Sequence, residues 1–213
     1  MKVPACRSRI INITGKTDFE AGIHEARDVL LSGGAVAFPT ETFYGLAVNP
    51  MDEDAVERLF RIKKREPDQP ILILLPSIES LVAYAAEIPE IAGALIKRHW
   101  PGPLTILFRA RPCLSQRLTA GTGRIGIRLS SHPVATALAG SINSPVTGTS
   151  ANISGNPACR TAMEVYEYFK EDVLILDGGE TRGGIGSTIV DVTVNPPKII
   201  REGVIGKEQL EPC

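Results

Sequence analysis

Cations and hydroxyls gather where apolar segments end: Thr40 and Thr42 in PTETFYGL, Lys63 and Arg65 in KKR, Ser150 and Asn152 in TSANISG, and Arg201 in REG. Lys63 continues the stripe Val56, Leu59, Phe60 at helical spacing, so its ammonium leans toward the interior, where a lysine needs an anionic partner. Arg65 follows as the chain leaves that helix. A planar guanidinium there can grip a phosphate or carboxylate through two parallel hydrogen bonds. The plainer alternative for KKR is a solvated helix end that complements the dipole. At 124 to 129, alternation sets Ile125, Ile127 and Leu129 on one face and Arg124, Gly126 and Arg128 on the other. That face is a basic line with room above its middle, or else a half-exposed edge. The small polar residues after Val146 are most often turn formers that satisfy their own backbone. At a strand end they also suit phosphate or ribose oxygens. The recurrence of the pattern points to one pocket for an anionic ligand.

Other chemistries fit less well. GTGRIG at 121 to 126 matches G-x-G-x-x-G, but IGIRLS after it alternates like a strand, whereas a dinucleotide fingerprint must open a helix. GGIGST at 183 to 188 lacks the lysine of a Walker loop. Ser150 sits in no G-x-S-x-G elbow and has no histidine placed to activate it. Cys6, Cys113, Cys159 and Cys213 are scattered without a C-x-x-C pair, so free thiols are expected. The three histidines show no metal-ligand spacing.

The elements that must position these residues read as alternating helices and strands. A chain of 213 residues with 43% hydrophobic and 22% charged side chains is long enough for one sizeable core. A net charge of −1 argues against a surface built to coat nucleic acid. The longest tight apolar run, ILILL at 71 to 75, is too short to span a bilayer, and a cytoplasmic protein without membrane contact is expected. Thr17 to Glu20 reads as a capping box opening a helix that Gly33 and Gly34 close. A second helix starts at Asp52, and further helices are expected at 78–86, 89–99, 132–141 and 161–170. Strands are expected at 35–38, 71–75, 104–109, 124–129, 145–149, 173–177, 187–192 and 198–201. This is a mixed α/β sheet domain.

PTETFYGL, Lys63-Lys64-Arg65, WPGPLT at 100 to 105, IGIR at 125 to 128, TSANISG, STIVD at 187 to 191 and REG resemble the YrdC-like family of threonylcarbamoyl-AMP synthases, in that family's order and spacing, from about residue 20 to 210. The resemblance implies an α/β (α+β) fold, YrdC- and DHBP-synthase-like: a twisted, mixed open sheet flanked by helices around a concave basic cavity. It implies one domain over 1–213, with its core at about 16–210. The implied reaction joins L-threonine, bicarbonate and ATP into threonylcarbamoyl-AMP with release of pyrophosphate. A downstream tRNA threonylcarbamoyltransferase then uses the product. Carried over by position, Thr42 and Arg128 bind threonine, Arg128 on its carboxylate, with Thr40 and Tyr44 lining the cavity. Lys63, Arg65, Ser150, Asn152 and Arg201 fall in the nucleotide-binding set, joined by Ser187 and Thr188. Lys63 and Arg65 are the catalytic cations, stabilising charge as one anion is brought onto another. Mg²⁺ is expected to ride on ATP. Gln69 and Leu74 stand where some members carry asparagine and histidine, and the chain resembles the short form.

Two rivals keep the same pocket. A basic concavity can hold structured RNA without turnover, although a 5% aromatic content offers few stacking platforms. A paralogue can make a different carbamoyl adenylate, against which TSAN together with K-x-R argues.

Overall fold

Strand and helix signals alternate along the sequence, and in the computed structural model, which describes residues 10–210, they become eleven strands and six helices. In chain order these are β1 (Ile10–Asn12), α1 (Lys16–Leu31), β2 (Ala35–Pro39), β3 (Tyr44–Ala47), α2 (Glu53–Lys63), β4 (Ile73–Leu74), α3 (Glu90–His99), β5 (Leu104–Arg109), α4 (Gln116–Thr119), β6 (Arg124–Arg128), α5 (Pro133–Ser141), β7 (Val146–Thr147), β8 (Thr149–Ser150), α6 (Ala162–Phe169), β9 (Val173–Asp177), β10 (Thr188–Asp191) and β11 (Lys198–Arg201). None of the described helices is long and apolar enough to cross a membrane. Cys6 and Cys213 lie outside the described residues, while Cys113 and Cys159 are free thiols.

The strands form two mixed sheets. One runs β1-β9-β2-β3-β8 and the other β11-β10-β5-β6-β4-β7. In the first, β2 is buried along its whole length between parallel β9 and antiparallel β3, as its unbroken AVAF run requires. Helices α1 and α5 pack on one side of it, with Ala26, Leu30, Leu138 and Ala139 closing a core against Val36, Phe38 and Leu174. The larger core lies on the other side, where α2 and α3 bury Val56, Leu59, Phe60, Ala92 and Leu95 against strands of both sheets.

The two sheets meet at the segment expected as a single strand over 145–149. It divides: β7 pairs with β4 in the second sheet, and β8 pairs with β3 in the first. Gly148 sits at the crossing and donates its N–H to Leu72 O at 2.8 Å. A Cβ there would stand 2.6 Å from Leu72 Cδ1, closer than side-chain atoms approach, so the switch needs glycine.

Other expectations change locally. Helix α1 begins at Lys16 behind Gly15, with no side-chain cap, because Phe19 N already bonds Gly15 O at 2.8 Å and Thr17 lies inside the first turn. The capping box forms instead at Thr161 and Glu164, ahead of α6. The helix expected over 78–86 is a 3-10 turn at Glu79–Ala83, since Ala85 is drawn into a bridge with Ala110. The strand expected over 71–75 keeps ladder pairing only at Ile73–Leu74.

Candidate active site

A cavity of about 360 Å³ opens at the junction of the two sheets. Of the residues singled out in the sequence, Thr40, Thr42, Tyr44, Arg65, Arg128, Ser150, Ser187 and Arg201 line it. Lys63, Asn152 and Thr188 do not, and each is buried behind the wall.

The K-x-R spacing works through a backbone reversal. Asp52 caps α2, its Oδ1 accepting Ala55 N at 3.1 Å, and the helix ends on Lys64 with φ 50° and ψ 44°. This left-handed residue sends its two neighbours opposite ways. Lys63 is 1% exposed, and its Nζ donates to Ser150 O at 2.6 Å and Asn152 O at 2.7 Å. The lysine thus pins the TSAN turn from inside. Burial, and then the Arg65 charge, push its ammonium down to about 7, with Cys159 acting the other way. Arg65 emerges on the cavity wall, tied by Nε to Gln69 O at 3.1 Å and by Nη2 to Pro70 O at 2.8 Å. Desolvation holds its guanidinium below the ordinary arginine value.

A left-handed Lys64 has a measurable consequence. Lys64→Val, which adds β-branching at positive φ, is expected to cost about 1–2 kcal/mol in urea unfolding, and Lys64→Gly to be near neutral or stabilising. Equal stability of the two variants would show that the reversal is not strained.

The TSAN turn is held by its own amide as well. Asn152 Nδ2 donates to Ile153 O at 2.9 Å and Asn156 O at 2.7 Å, while its buried Oδ1 has no hydrogen-bond partner. Ser150 is exposed on the cavity wall beside Thr149. Across from it, β6 delivers Arg128, which is 5% exposed. Gly126 keeps the middle of that strand low: a Cβ would lie 3.0 Å from Leu72 Cβ. Arg124, on the same face, is spent on Asp191 at 2.7 Å. Arg128 Nε donates to Gly102 O at 3.2 Å, and Nη2 lies 2.7 Å from Glu41 Oε1. That approach is an ion contact without good hydrogen-bond alignment. A buried guanidinium on the wall of a cavity that no carboxylate among the described residues lines suits an anionic ligand.

The β2–β3 turn supplies the hydroxyls. Thr40 Oγ1 donates to Phe43 O at 2.7 Å and accepts Thr42 N at 3.2 Å, and the two threonine hydroxyls lie 3.1 Å apart. Tyr44 is fully buried and donates to Gly179 O at 2.8 Å, and burial followed by Asp177 pushes its phenol up. On the remaining wall, Arg201 Nη2 donates to Ser187 O at 2.8 Å and Ser187 Oγ at 3.2 Å, and Ser187 Oγ meets Thr105 Oγ1 at 3.0 Å. Desolvation, then the Arg128 charge, holds Arg201 below its ordinary value. A guanidinium disfavoured in this way gains from a bound anion. Thr188 instead serves the fold: its Oγ1 donates to Ile205 O at 2.6 Å and accepts Gly203 N and Ile205 N.

Glu41 and Thr105 are site residues that the sequence reading passed over. Glu41 stands between two singled-out threonines, and Thr105 alternates with Leu107 on the cavity face of β5, so both signals were present. Among the described residues no three His, Cys, Asp or Glu side chains come together as metal ligands, and no carboxylate lines the cavity. That donor set of arginines and hydroxyls suits a metal that arrives on a phosphate chain rather than one held in a protein cage.

Residues 28–203 match the Sua5/YciO/YrdC family model, whose description is "Telomere recombination". The chain is 41% identical over 203 residues to the threonylcarbamoyl-AMP synthase of Pyrococcus abyssi, across 95% of this chain and 59% of the relative. It is 38% identical over 191 residues to that of Bacillus subtilis, across 89% of this chain and 55% of the relative. A Pyrococcus abyssi Sua5 structure complexed with L-threonine is similar with a TM-score of 0.86 at 40% identity, over 91% of this chain and 57% of that one. The chain therefore spans between half and three-fifths of the length of these relatives.

Proposed function

The chain belongs to the Sua5/YciO/YrdC family, and on that premise we propose that it is an L-threonylcarbamoyladenylate synthase, a nucleotidyltransferase acting in tRNA modification in the cytoplasm. The observation that carries this reading is Arg128, 5% exposed on the wall of a cavity that Arg65 and Arg201 also line and that no carboxylate among the described residues lines. A substrate carboxylate fits that guanidinium. L-threonine then lies with its carboxylate on Arg128 and its hydroxyl toward Thr40 and Thr42. Bicarbonate condenses with the amino group, forming the N–C bond of a carbamate and releasing water. A carbamate oxygen attacks the α-phosphate of ATP, the bond from the α-phosphorus to the bridging oxygen breaks, and pyrophosphate leaves.

The protein's part in this sequence is positioning and charge. Arg65, Arg201 and Ser187 hold phosphate oxygens, Ser150 and the turn pinned by Lys63 hold the nucleotide, and the fixed guanidiniums offset the repulsion between two anions as they meet. Mg²⁺ enters with ATP as part of the substrate. A tRNA threonylcarbamoyltransferase consumes the product.

Pyrophosphate release from ATP and Mg²⁺ tests the reading, with L-threonine and bicarbonate omitted in turn. Release that needs both, with threonylcarbamoyl-AMP identified by mass, is the expected result. Release without threonine would point to a different acceptor, and a protein that binds RNA but not ATP would overturn the enzyme reading.

A further inference from the structure

Among the described residues, Glu41 is the carboxylate ion-paired with the cavity's buried arginine, yet it is not itself on the cavity wall. Both of its oxygens are committed. Oε1 lies 2.7 Å from Arg128 Nη2 and accepts Ser131 N at 3.2 Å, and Oε2 accepts the Ser130 hydroxyl. Its backbone belongs to the β2–β3 turn, whose threonines face the cavity. Ser130 and Ser131 belong to the junction that leads from β6 into α5. One side chain therefore clamps the turn of the first sheet to the end of a strand in the second, with Arg128 between.

We infer that Glu41 is a positioning residue: it grips Arg128 from outside the cavity and fixes the orientation in which the guanidinium faces a substrate carboxylate. This rests on the reading of Arg128 given under Proposed function. The geometry separates the inference from an ordinary structural ion pair. Arg128 is anchored at Nε by Gly102 O and at Nη2 by Glu41, so its plane is set by two points, and removing one frees rotation about the other. Burial raises the Glu41 carboxyl, but the Arg128 charge and the Ser130 hydrogen bond outweigh it and hold it below the usual carboxylate value. The clamp is thus ionised at neutral pH.

Steady-state kinetics of the wild type, Glu41→Ala, Arg128→Ala and the double variant test this. Glu41→Ala is expected to raise the KM for L-threonine about ten- to hundredfold, with the KM for ATP within about twofold. Glu41→Gln, which keeps the acceptor oxygen, is expected to recover part of the loss. The double variant is expected to match Arg128→Ala, because Glu41 acts through Arg128. Parallel rises in both KM values, or additive effects in the double variant, would overturn the inference in favour of a plain structural pair. The arginine Nε–Hε NMR signal of Arg128, assigned by its loss in Arg128→Lys, gives an activity-independent readout. It should be rigid in the wild type, mobile in Glu41→Ala and intermediate in Glu41→Gln. Equal rigidity would overturn the positioning role even in a protein with full turnover. Conversely, a wild type without threonine-dependent turnover would sink the proposed function while the signal still decides the clamp.

Discussion

Arg65→Ala is expected to fold like the parent protein and to lose turnover by about 10²–10³, the scale of removing one fixed donor from a developing charge. Its structural ties are two hydrogen bonds to the carbonyls of Gln69 and Pro70 in the loop after α2. That loop is largely exposed, so water can replace the donors, and the stability cost should stay near 1 kcal/mol. The chemical cost is larger. The two carbonyls aim a partly desolvated guanidinium at the cavity, and nothing else on that wall supplies a cation among the described residues except Arg128 and Arg201. Lysine at 65 would restore charge but not the fork, and so should recover only part of the rate. Single-turnover pyrophosphate release alongside ATP binding separates the two costs. Full turnover in a folded Arg65→Ala protein would remove Arg65 from the machinery.

How much of this was legible in the sequence follows from the range of each interaction. The stripe of α2 predicts an inward Lys63, and the structure places it there, because helical spacing is local information. Alternation in β6 likewise places Gly126 and Arg128 together on one face, and both line the cavity. The bounds of β9 and β11, at 173–177 and 198–201, match those expected from the sequence, each strand built on a short apolar run. What stayed hidden depends on contacts distant in sequence. Nothing local in VTGTS says that its two halves join different sheets; that follows from β4 and β3, distant in sequence, offering edges to either half. Strand β3 was missed because YGLA is short and its partners, β2 and β8, lie on either side of it only in space. Lys63, Asn152 and Thr188 read as pocket residues by type, yet the Lys63 ammonium, the Asn152 amide nitrogen and the Thr188 hydroxyl all bond backbone groups that shape the wall. Side-chain chemistry alone does not distinguish a group that touches a ligand from one that holds the loop that does.

Lys63→Met puts that distinction to the test. The variant keeps the aliphatic length and removes the donor, leaving Ser150 O and Asn152 O without it in a buried setting. At about 1–3 kcal/mol for each of the two orphaned carbonyls, the loss should be about 2–6 kcal/mol at alkaline pH. Turnover should fall by 10² or more, because the turn that presents Ser150 to the cavity is no longer pinned. The pH dependence identifies the source. Burial and Arg65 lower the folded-state value to about 7, while the unfolded lysine keeps its ordinary 10.5. The unfolded chain therefore binds more protons between those two values. A penalty for charging the buried lysine is fully present below about 7 and is relieved as pH rises toward 10.5, with a slope of up to about 1.4 kcal/mol per pH unit. Methionine has no such term, so the stability gap between wild type and Lys63→Met should widen from pH 7 to pH 10, read by urea unfolding at each pH. The neutral amine that remains carries two N–H donors, one for each carbonyl. A gap that stays flat from pH 7 to pH 10 instead would mean that the two carbonyls, at 2.6 and 2.7 Å, outweigh burial and keep Lys63 an ammonium. In that case a positive charge sits directly behind the nucleotide turn, and Lys63 acts on phosphate through the field as well as through the loop.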